Sequence, residues 1–260
     1  MKLGICSLWG VSLDQFRAEL RLASDLGYEL VTIGDSPAGW RDMVTSMTIA
    51  ALEAPSARIG SLVTSPFMRH PLVTANVFST LDQLTGGRAV LGLATGGSTV
   101  LATGRMPATQ KEIRAEIAAY KALFAGQEIE WEGRLAKALR FARPVPIYYS
   151  AFGPKALELA GEQADGVILF AGDQHIEALA PKIAAVRDSA TRAGRDPDAI
   201  DIWVTSFLSV RPERQQANDD LKAFIAVNAM ALRTPEALAA VPPNVRPLIE
   251  AFQTRYDPTE

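Results

Sequence analysis

The chain has 260 residues, and its 26 lysines and arginines against 29 aspartates and glutamates give a formal net charge of −3. A content of 48% hydrophobic and 21% charged residues excludes a wholly disordered or fibrous chain. The slightly acidic balance excludes the overall positive field that non-specific nucleic-acid binding needs, and the one cysteine, Cys6, excludes an internal disulfide.

Short apolar segments alternate with longer amphipathic segments along the chain. The first unit consists of a strand at 3–8, a helix that begins after Ser12 and stops at Gly27, and a second strand at 30–33. Further strands are predicted at 58–63, 89–94, 145–149, 167–170 and 202–210, and further helices at 43–52, 72–84, 108–125, 155–163 and 176–193. Continuously apolar strands that alternate with helices indicate a parallel sheet covered on both faces, hence an α/β fold.

Two architectures fit this pattern, an open doubly wound sheet and a (β/α)8 TIM barrel. An open sheet usually carries a glycine-rich phosphate turn after its first strand, whereas this chain has Ser7-Leu-Trp-Gly-Val11 there, which favours the barrel. We expect one barrel domain over 1–260, with 126–143 as an excursion on its rim. The tail 234–260 reads as helix and proline-rich turn, so we expect the sequence to lack the last βα unit of the barrel.

In a barrel, the residues that follow each strand form the active site. The segment Thr95-Gly-Gly-Ser-Thr99 can turn several backbone N–H groups toward one anion, although an ordinary tight turn explains it equally well. Ser150-Ala-Phe-Gly-Pro-Lys155 places Gly153 and Pro154 at a helix start, where the helix dipole also favours an anion. Together the two segments predict a phosphorylated ligand.

Two side chains are candidates for proton transfer. Asp35 directly follows a strand and either relays a proton or caps its own turn. His70 begins a helix, where it either acts on a substrate or makes a structural hydrogen bond, and His175 is expected to be solvated. The two histidines lie 105 positions apart without a metal-binding motif, and no G-x-S-x-G is present, so we predict no metal site and no hydrolase elbow. A site so poor in nucleophiles is typical of enzymes whose cofactor supplies the reactivity.

Several blocks in order carry a resemblance to a known family. They are Ile33-Gly-Asp35-Ser-Pro37, Pro66-Phe-Met-Arg-His70-Pro71, Gly86-Gly-Arg88-Ala-Val-Leu-Gly92-Leu-Ala-Thr-Gly96 and Ala164-Asp-Gly-Val167. In order and spacing they resemble the luciferase-like monooxygenase superfamily. Thr64-Ser-Pro66 and Arg69-His-Pro71 are more similar to its branch that uses coenzyme F420, a 5-deazaflavin, which includes methylenetetrahydromethanopterin reductase. The resemblance implies a (β/α)8 barrel, generally a homodimer.

The resemblance also implies the parts of the site. A bulged third strand with a non-prolyl cis peptide at Leu62-Val63 would back the flavin-like ring, and Asp35 would lie near the reacting ring. From its place at a helix start, His70 stays the second catalytic candidate. The cofactor-binding residues it implies are Leu62, Val63, Thr64, Ser65, Thr95, Gly96, Gly97, Ser98, Ala151, Phe152, Gly153, Pro154 and Lys155. Relatives often have Asp where this chain has Gly97, a departure that bears on cofactor choice.

We therefore expect an F420-dependent oxidoreductase that transfers a hydride between the deazaflavin and a small organic substrate. An FMN-dependent luciferase-like monooxygenase is the first alternative, and a non-catalytic flavin-binding barrel is the second. Loops at 9–11, 38–40 and 172–175 would line the substrate pocket. No apolar run approaches the ~20 residues of a bilayer span, so we expect a soluble, cytoplasmic protein with no membrane and no nucleic-acid partner.

Overall fold

The computed structural model describes residues 2–171, 177, 179–231, 238, 241 and 243–255. Its main feature is a sheet of seven parallel strands in the order β1-β2-β3-β4-β7-β8-β9, accompanied by a two-stranded antiparallel hairpin, β5-β6. The strands are β1 (Gly4–Ser7), β2 (Leu30–Ile33), β3 (Arg58–Ser61), β4 (Ala89–Leu93), β5 (Ile129–Trp131), β6 (Arg134–Ala136), β7 (Ile147–Ser150), β8 (Gly166–Phe170) and β9 (Asp201–Thr205).

Helices connect the strands, and their ends follow from the local sequence. The backbone N–H of Gln15 donates to the Ser12 hydroxyl at the start of the first helix, and Thr109 with Glu112 forms a complete capping box at the start of the fifth. Gly86 ends the third in the left-handed conformation at φ 67°. The helices are α1 (Leu13–Asp25), α2 (Met43–Glu53), α3 (Pro71–Thr85), α4 (Ser98–Leu101), α5 (Gln110–Phe124), α6 (Pro154–Gln163), α7 (Leu179–Arg192), α8 (Arg214–Ala231) and α9 (Arg246–Arg255).

The main hydrophobic core lies between the sheet and its helices. Alternate residues of several strands enter it, as Ile147 and Tyr149 do in β7, together with helix residues such as Phe16 and Phe78. The residue between them, Tyr148, belongs to a second and smaller cluster on the other face of the sheet. This inner face corresponds to the interior of a barrel.

The first unit, Met1–Thr205, contains the whole seven-stranded sheet. Its alternating β and α elements and parallel pairing confirm the α/β prediction, and a parallel sheet of this kind is the one from which a (β/α)8 barrel is built. Strands β1 and β9 are its two edges, and among the described residues each pairs with one neighbour. The hairpin β5-β6 lies within 126–143, the segment predicted as an excursion on the rim. The expectation of one domain over 1–260 stays a prediction.

The second unit, Ser206–Glu260, contains α8 and α9. The side-chain amide of Gln253 in α9 donates to the carbonyl of Ala229 in α8 at 2.6 Å. Helix α8 was not predicted from the sequence, and part of the predicted tail 234–260 lies outside the described residues. No described helix is long and apolar enough to cross a bilayer.

Two predicted strands were too long. The one predicted at 202–210 ends at Thr205, because β8, its one strand partner among the described residues, ends at Phe170, which pairs with Thr205. The one predicted at 58–63 ends at Ser61, where its ladder to β4 is interrupted. Helix α4, four residues long, was missed because it is too short to show a helical period.

Candidate active site

The carboxyl ends of the seven parallel strands lie at one edge of the sheet, here called the carboxyl edge. Strands β3, β4 and β7 are neighbours, so the three segments that follow them lie side by side. The backbone N–H of Thr64 donates to the Gly92 carbonyl at 2.9 Å, and that of Ala94 donates to the Thr64 carbonyl at 2.9 Å. All three predicted cofactor-binding segments are therefore placed at this edge.

A bulge interrupts the pairing of β3 with β4. Pairing stops after Gly60 and resumes at Thr64, so three residues of one strand face two of the other. The Ser61 hydroxyl fills the gap, since it donates to the Gly92 carbonyl at 2.7 Å and accepts from the Gly92 N–H at 3.0 Å. We call residues 61–65 the bulge segment. Ser61 was not among the predicted site residues. Its sequence shows only that it is a polar residue within an apolar strand.

The Leu62-Val63 peptide bond in the bulge segment is cis, as the family resemblance implied. Both side chains are half-buried and pack with Val90, Tyr148 and Ile168 on the inner face of the sheet. The bulge segment thus presents its backbone at the carboxyl edge above a small apolar cluster. Its next two residues, Thr64 and Ser65, are buried.

Asp35 is buried at the end of β2 and is engaged on both of its oxygens. The Thr64 hydroxyl donates to Oδ2 at 2.6 Å. The Arg69 guanidinium donates to Oδ2 at 2.6 Å and to Oδ1 at 3.2 Å, which makes a two-pronged ion pair. This geometry favours a role in holding the bulge segment, and the expectation that Asp35 transfers a proton stays a prediction.

Arg69 belongs to the site, a role that its motif Arg69-His-Pro71 did not predict. Partial burial opposes its charge, but the hydrogen bonds and charge of Asp35 outweigh that effect and raise the pKa of Arg69. Asp42 lies 3.8 Å from the same guanidinium. Desolvation acts against the Asp42 carboxylate, yet hydrogen bonds from Thr45 and the charge of Arg69 lower the pKa of Asp42. Arg69 is therefore shared by two carboxylates.

His70 caps helix α3. Its ring nitrogen Nδ1 accepts from the Leu72 N–H at 3.1 Å, so the ring holds its proton on Nε2. The ring is exposed and lies edge-on to Trp131, with 6.3 Å between centroids. Of the two roles predicted for His70, the structure shows the structural hydrogen bond. The catalytic role stays a prediction.

The segment 95–98, here called the first glycine turn, follows β4. The Thr95 carbonyl accepts from the Ala108 N–H at 2.8 Å, which fixes one end of the turn. Gly96 has φ 85°, and a Cβ there would lie 2.2 Å from a Val100 methyl carbon, so only glycine fits. Gly97 is exposed, and a Cβ there would meet no atom within 4 Å. Ser98 begins α4.

The segment 151–155, here called the second glycine turn, follows β7. Ala151 is buried and its N–H donates to the Ile168 carbonyl at 3.1 Å, whereas Phe152 is 64% exposed. Gly153 is the N-cap of α6 and supplies no side-chain cap, and Pro154 and Lys155 follow at the exposed helix start. A Cβ on Gly153 would meet no atom within 4 Å. The helix start is thus open to a ligand.

The loops expected to line the substrate pocket are partly described. Trp9 is buried and stacks on Phe16, with 4.8 Å between ring centroids. Trp40 lies beside Gly10 and Gly34, so the loops after β1 and β2 meet at the carboxyl edge. The predicted loop 172–175, with His175, lies outside the described residues. Within the described part of the chain, no group of three or more His, Cys, Asp or Glu side chains could hold a metal ion.

Comparison with curated proteins identifies relatives. A 5,10-methylenetetrahydromethanopterin reductase of Methanolobus tindarius is 34% identical over 216 residues, which cover 79% of this chain and 64% of the relative. An F420-dependent glucose-6-phosphate dehydrogenase of Nakamurella multipartita is 32% identical over 238 residues, covering 84% of this chain and 69% of the relative. The chain spans about two thirds of the length of these relatives.

Solved structures share the fold. An F420-dependent secondary alcohol dehydrogenase in complex with an F420-acetone adduct superposes with a TM-score of 0.76 at 22% identity, over 89% of this chain and 75% of that one. The oxygenating constituent of 3,6-diketocamphane monooxygenase from Pseudomonas putida, in complex with FMN, gives a TM-score of 0.64 at 18% identity, over 80% and 68%. The luciferase-like monooxygenase family model matches residues 1–251. The chain therefore belongs to the luciferase-like monooxygenase family.

Proposed function

We propose that the protein is an F420-dependent oxidoreductase that transfers a hydride between the deazaflavin and a small organic substrate. The observation that carries the proposal is the cradle at the carboxyl edge, where two glycine turns on the neighbouring strands β4 and β7 lie beside the bulge segment. The curated relatives named for F420 chemistry support the choice of cofactor.

The residues at the cradle fit a phosphorylated cofactor. Gly97 and Gly153 leave open space where side chains would stand, and α6 starts without a side-chain cap. Backbone N–H groups at a helix start favour an anion. Thr95, Gly96, Gly97 and Ser98 would hold the phosphate and ribityl portion from one side, and residues 151–155 from the other. Leu62, Val63, Thr64 and Ser65 would lie behind the ring.

The protein contributes orientation. When bound, the deazaflavin supplies the carbon that gives or accepts the hydride. Thr64 is fixed by its hydrogen bond to Asp35, and Asp35 is fixed by Arg69, so the bulge segment holds one position. A fixed surface behind the ring keeps the reacting face toward the substrate pocket. Asp35 and His70 remain the proposed proton-transfer groups.

An FMN-dependent monooxygenase is the second candidate, and the fold shared with an FMN-bound monooxygenase favours it. Titrating the purified protein with F420 and with FMN, followed by absorbance, separates the two. We expect saturable F420 binding, and reduction or oxidation of F420 with a panel of small alcohols, aldehydes and pterins. Tight FMN binding with no affinity for F420 would contradict the proposal.

A non-catalytic flavin-binding barrel is the third candidate, and Gly97, where relatives often carry Asp, motivates it. It predicts F420 binding without turnover. Comparing the native protein with Gly97→Asp tests it, because open space around Gly97 accommodates the carboxylate. Turnover by the native protein rules this candidate out, and turnover by the variant alone supports it.

We further propose a cytoplasmic homodimer, with a small molecule as its substrate. The support is the family resemblance together with the single free cysteine, which is common in reducing compartments. Sedimentation of the purified protein tests the oligomeric state, and a monomer at micromolar concentration would contradict it.

A further inference from the structure

A guanidinium group at the carboxyl edge has no acidic partner among the described residues. Arg41 is exposed and lies at the end of the loop after β2. Its Nη1 donates to the Trp9 carbonyl at 3.1 Å, and its Cζ lies 5.2 Å from the centroid of the Trp9 ring. The other N–H donors of this guanidinium therefore remain for a ligand.

The Trp9 ring holds Arg41 on a fixed surface. The indole is buried and stacks on Phe16 of α1, with 4.8 Å between ring centroids and 3° between ring planes. Its Nε1–H donates to the Val11 carbonyl at 3.1 Å, which fixes the rotation of the ring. A cation over such a ring is attracted by its π-electrons. Arg41 is thus partly ordered before a ligand arrives, which lowers the cost of binding one.

The two nearest aspartates in the sequence are engaged by other groups. Both oxygens of Asp35 accept from Arg69, and Oδ2 also accepts from Thr64. Oδ1 of Asp42 accepts from the N–H and the hydroxyl of Thr45, both at 2.8 Å, and Oδ2 lies 3.8 Å from Arg69. The positive charge of Arg41 therefore has no ion-pair partner among the described side chains.

The position of Arg41 beside the bulge segment follows from its neighbour Trp40. A Cβ on Gly34 would lie 3.8 Å from the Leu62 carbonyl oxygen and 3.8 Å from Cδ1 of Trp40, so Trp40 borders the cis peptide. In the sheet, β2 lies on one side of β3, whereas β4 and β7, which carry the glycine turns, lie on the other. Arg41 is therefore separated by the bulge segment from the turns proposed for the cofactor phosphate.

We propose that Arg41 is a specificity-determining residue that binds an oxyanion group of the substrate, a carboxylate or a phosphate. A guanidinium presents paired N–H donors in the planar fork that matches such groups. A substrate held there extends past Trp40 toward the bulge segment. The inference rests on the proposed function for the reaction, whereas oxyanion binding at Arg41 can be measured without the cofactor.

The first test titrates the cofactor-free protein with sodium phosphate and, separately, with sodium acetate at constant ionic strength. The readout is the ¹⁵N–¹H signal of the Trp9 indole, because Arg41 packs on that ring. We expect a saturable shift in the native protein. Arg41→Met should weaken the apparent affinity by about tenfold or more, the loss of one hydrogen bond to a charged group.

A matched control is available on another loop. Arg140 also packs on an aromatic ring, with its Cζ 5.3 Å from the centroid of Phe141, and it lies between β6 and β7. Arg140→Met removes a guanidinium of the same kind and should retain the native titration of the Trp9 signal.

The second test separates substrate binding from cofactor binding. F420 affinity, measured by fluorescence quenching, should be the same in Arg41→Met and in the native protein. The compounds 3-hydroxybutyrate and 2-butanol differ in one carboxylate and form a matched pair of substrates. We expect Arg41→Met to raise KM for 3-hydroxybutyrate by about tenfold or more at little change in kcat, and to leave KM for 2-butanol unchanged.

Three results would overturn the proposal. The first is a Trp9 signal that neither salt shifts, or that both shift equally in native protein and Arg41→Met. The second is a loss of F420 affinity in Arg41→Met, which would assign Arg41 to the cofactor. The third is an equal rise in KM for both alcohols. If the salts shift the Trp9 signal through Arg41 but F420 does not bind, the proposed function fails while the oxyanion site stands.

Discussion

The ion pair between Asp35 and Arg69 organises the candidate site at the scale of single residues. The Asp35 side chain is 3% exposed and that of Arg69 19%, so neither charge is well solvated. Removing one partner of such a pair leaves the other charge buried without compensation, which costs more than the pair contributes. The pair therefore couples the stability of the fold to the position of the bulge segment.

Arg69→Met should lower the free energy of unfolding by about 3 kcal/mol, because Asp35 then keeps a buried charge without its cation. Adding Asp35→Asn should recover part of the loss, since no charge is then buried. Urea denaturation measures both. The exposed pair of Lys137 with Glu128 provides the matched control, and Lys137→Met should cost less than about 1 kcal/mol. Equal losses in the two single variants would contradict the assigned role of Arg69.

The two adjacent glycines of the first glycine turn should respond differently to alanine. Gly96→Ala places a Cβ 2.2 Å from a Val100 methyl carbon and forces a positive φ, so we expect a loss of about 1–3 kcal/mol. Gly97→Ala meets open space and should change stability by no more than about 0.5 kcal/mol. Thermal unfolding of both variants measures the two losses of stability. Similar losses in Gly96→Ala and Gly97→Ala would contradict the described conformation of the first glycine turn.

At the scale of secondary-structure elements, the bulge between β3 and β4 depends on one hydroxyl group. Ser61 is fully buried and pairs both backbone groups of Gly92, whose N–H the interrupted ladder would otherwise leave without a partner, while the carbonyl also accepts from the Thr64 N–H. The extra residue of the bulge turns the chain toward the carboxyl edge, where Thr64 rejoins β4. The segment 58–63, predicted as one continuous strand, therefore contains the bulge of the candidate site.

Ser61→Ala should destabilise the protein by about 1–3 kcal/mol, because the buried Gly92 N–H loses its partner and the Gly92 carbonyl keeps only the Thr64 N–H. Ser79→Ala is the matched control, since the buried Ser79 hydroxyl has no hydrogen-bond partner among the described residues and its removal leaves none unsatisfied. Chemical denaturation of the two variants gives the comparison. A larger loss for Ser79→Ala would mean that the hydroxyl of Ser61 does not support the bulge.

Packing of α5 against α3 should make stability depend on pH. The pKa of Glu116 is about 7 in the folded protein against an ordinary value of 4.5, so the folded state holds the proton more strongly. The contribution of Glu116 to the free energy of unfolding is therefore fully present below pH 4.5. It is lost, by about 3 kcal/mol in total, as the pH rises through 7. Glu116→Gln should remove this decline. The free energy of unfolding from pH 5 to 8 checks it, and parallel curves would contradict the assignment.

At the scale of the whole molecule, the sequence predicted the regular parts well. Apolar runs located the strands of the sheet, and helix-end signals located the helices between them. Buried parallel strands and capped helices both leave strong local patterns. The contacts of Arg69 and Ser61 could not be predicted, because each depends on a partner on another strand or at its end, about 30 residues away in sequence, and no local pattern encodes such pairing. The C-terminal end of the strand predicted at 202–210 also depends on another strand, its neighbour β8.

A crystal structure of the protein with F420 bound would test the proposed cofactor site most directly. We expect the deazaflavin ring against Leu62 and Val63, with its phosphate between the glycine turns at Gly97 and Gly153. A cofactor bound elsewhere, or a bound state in which protein side chains fill the space among those three segments, would contradict it.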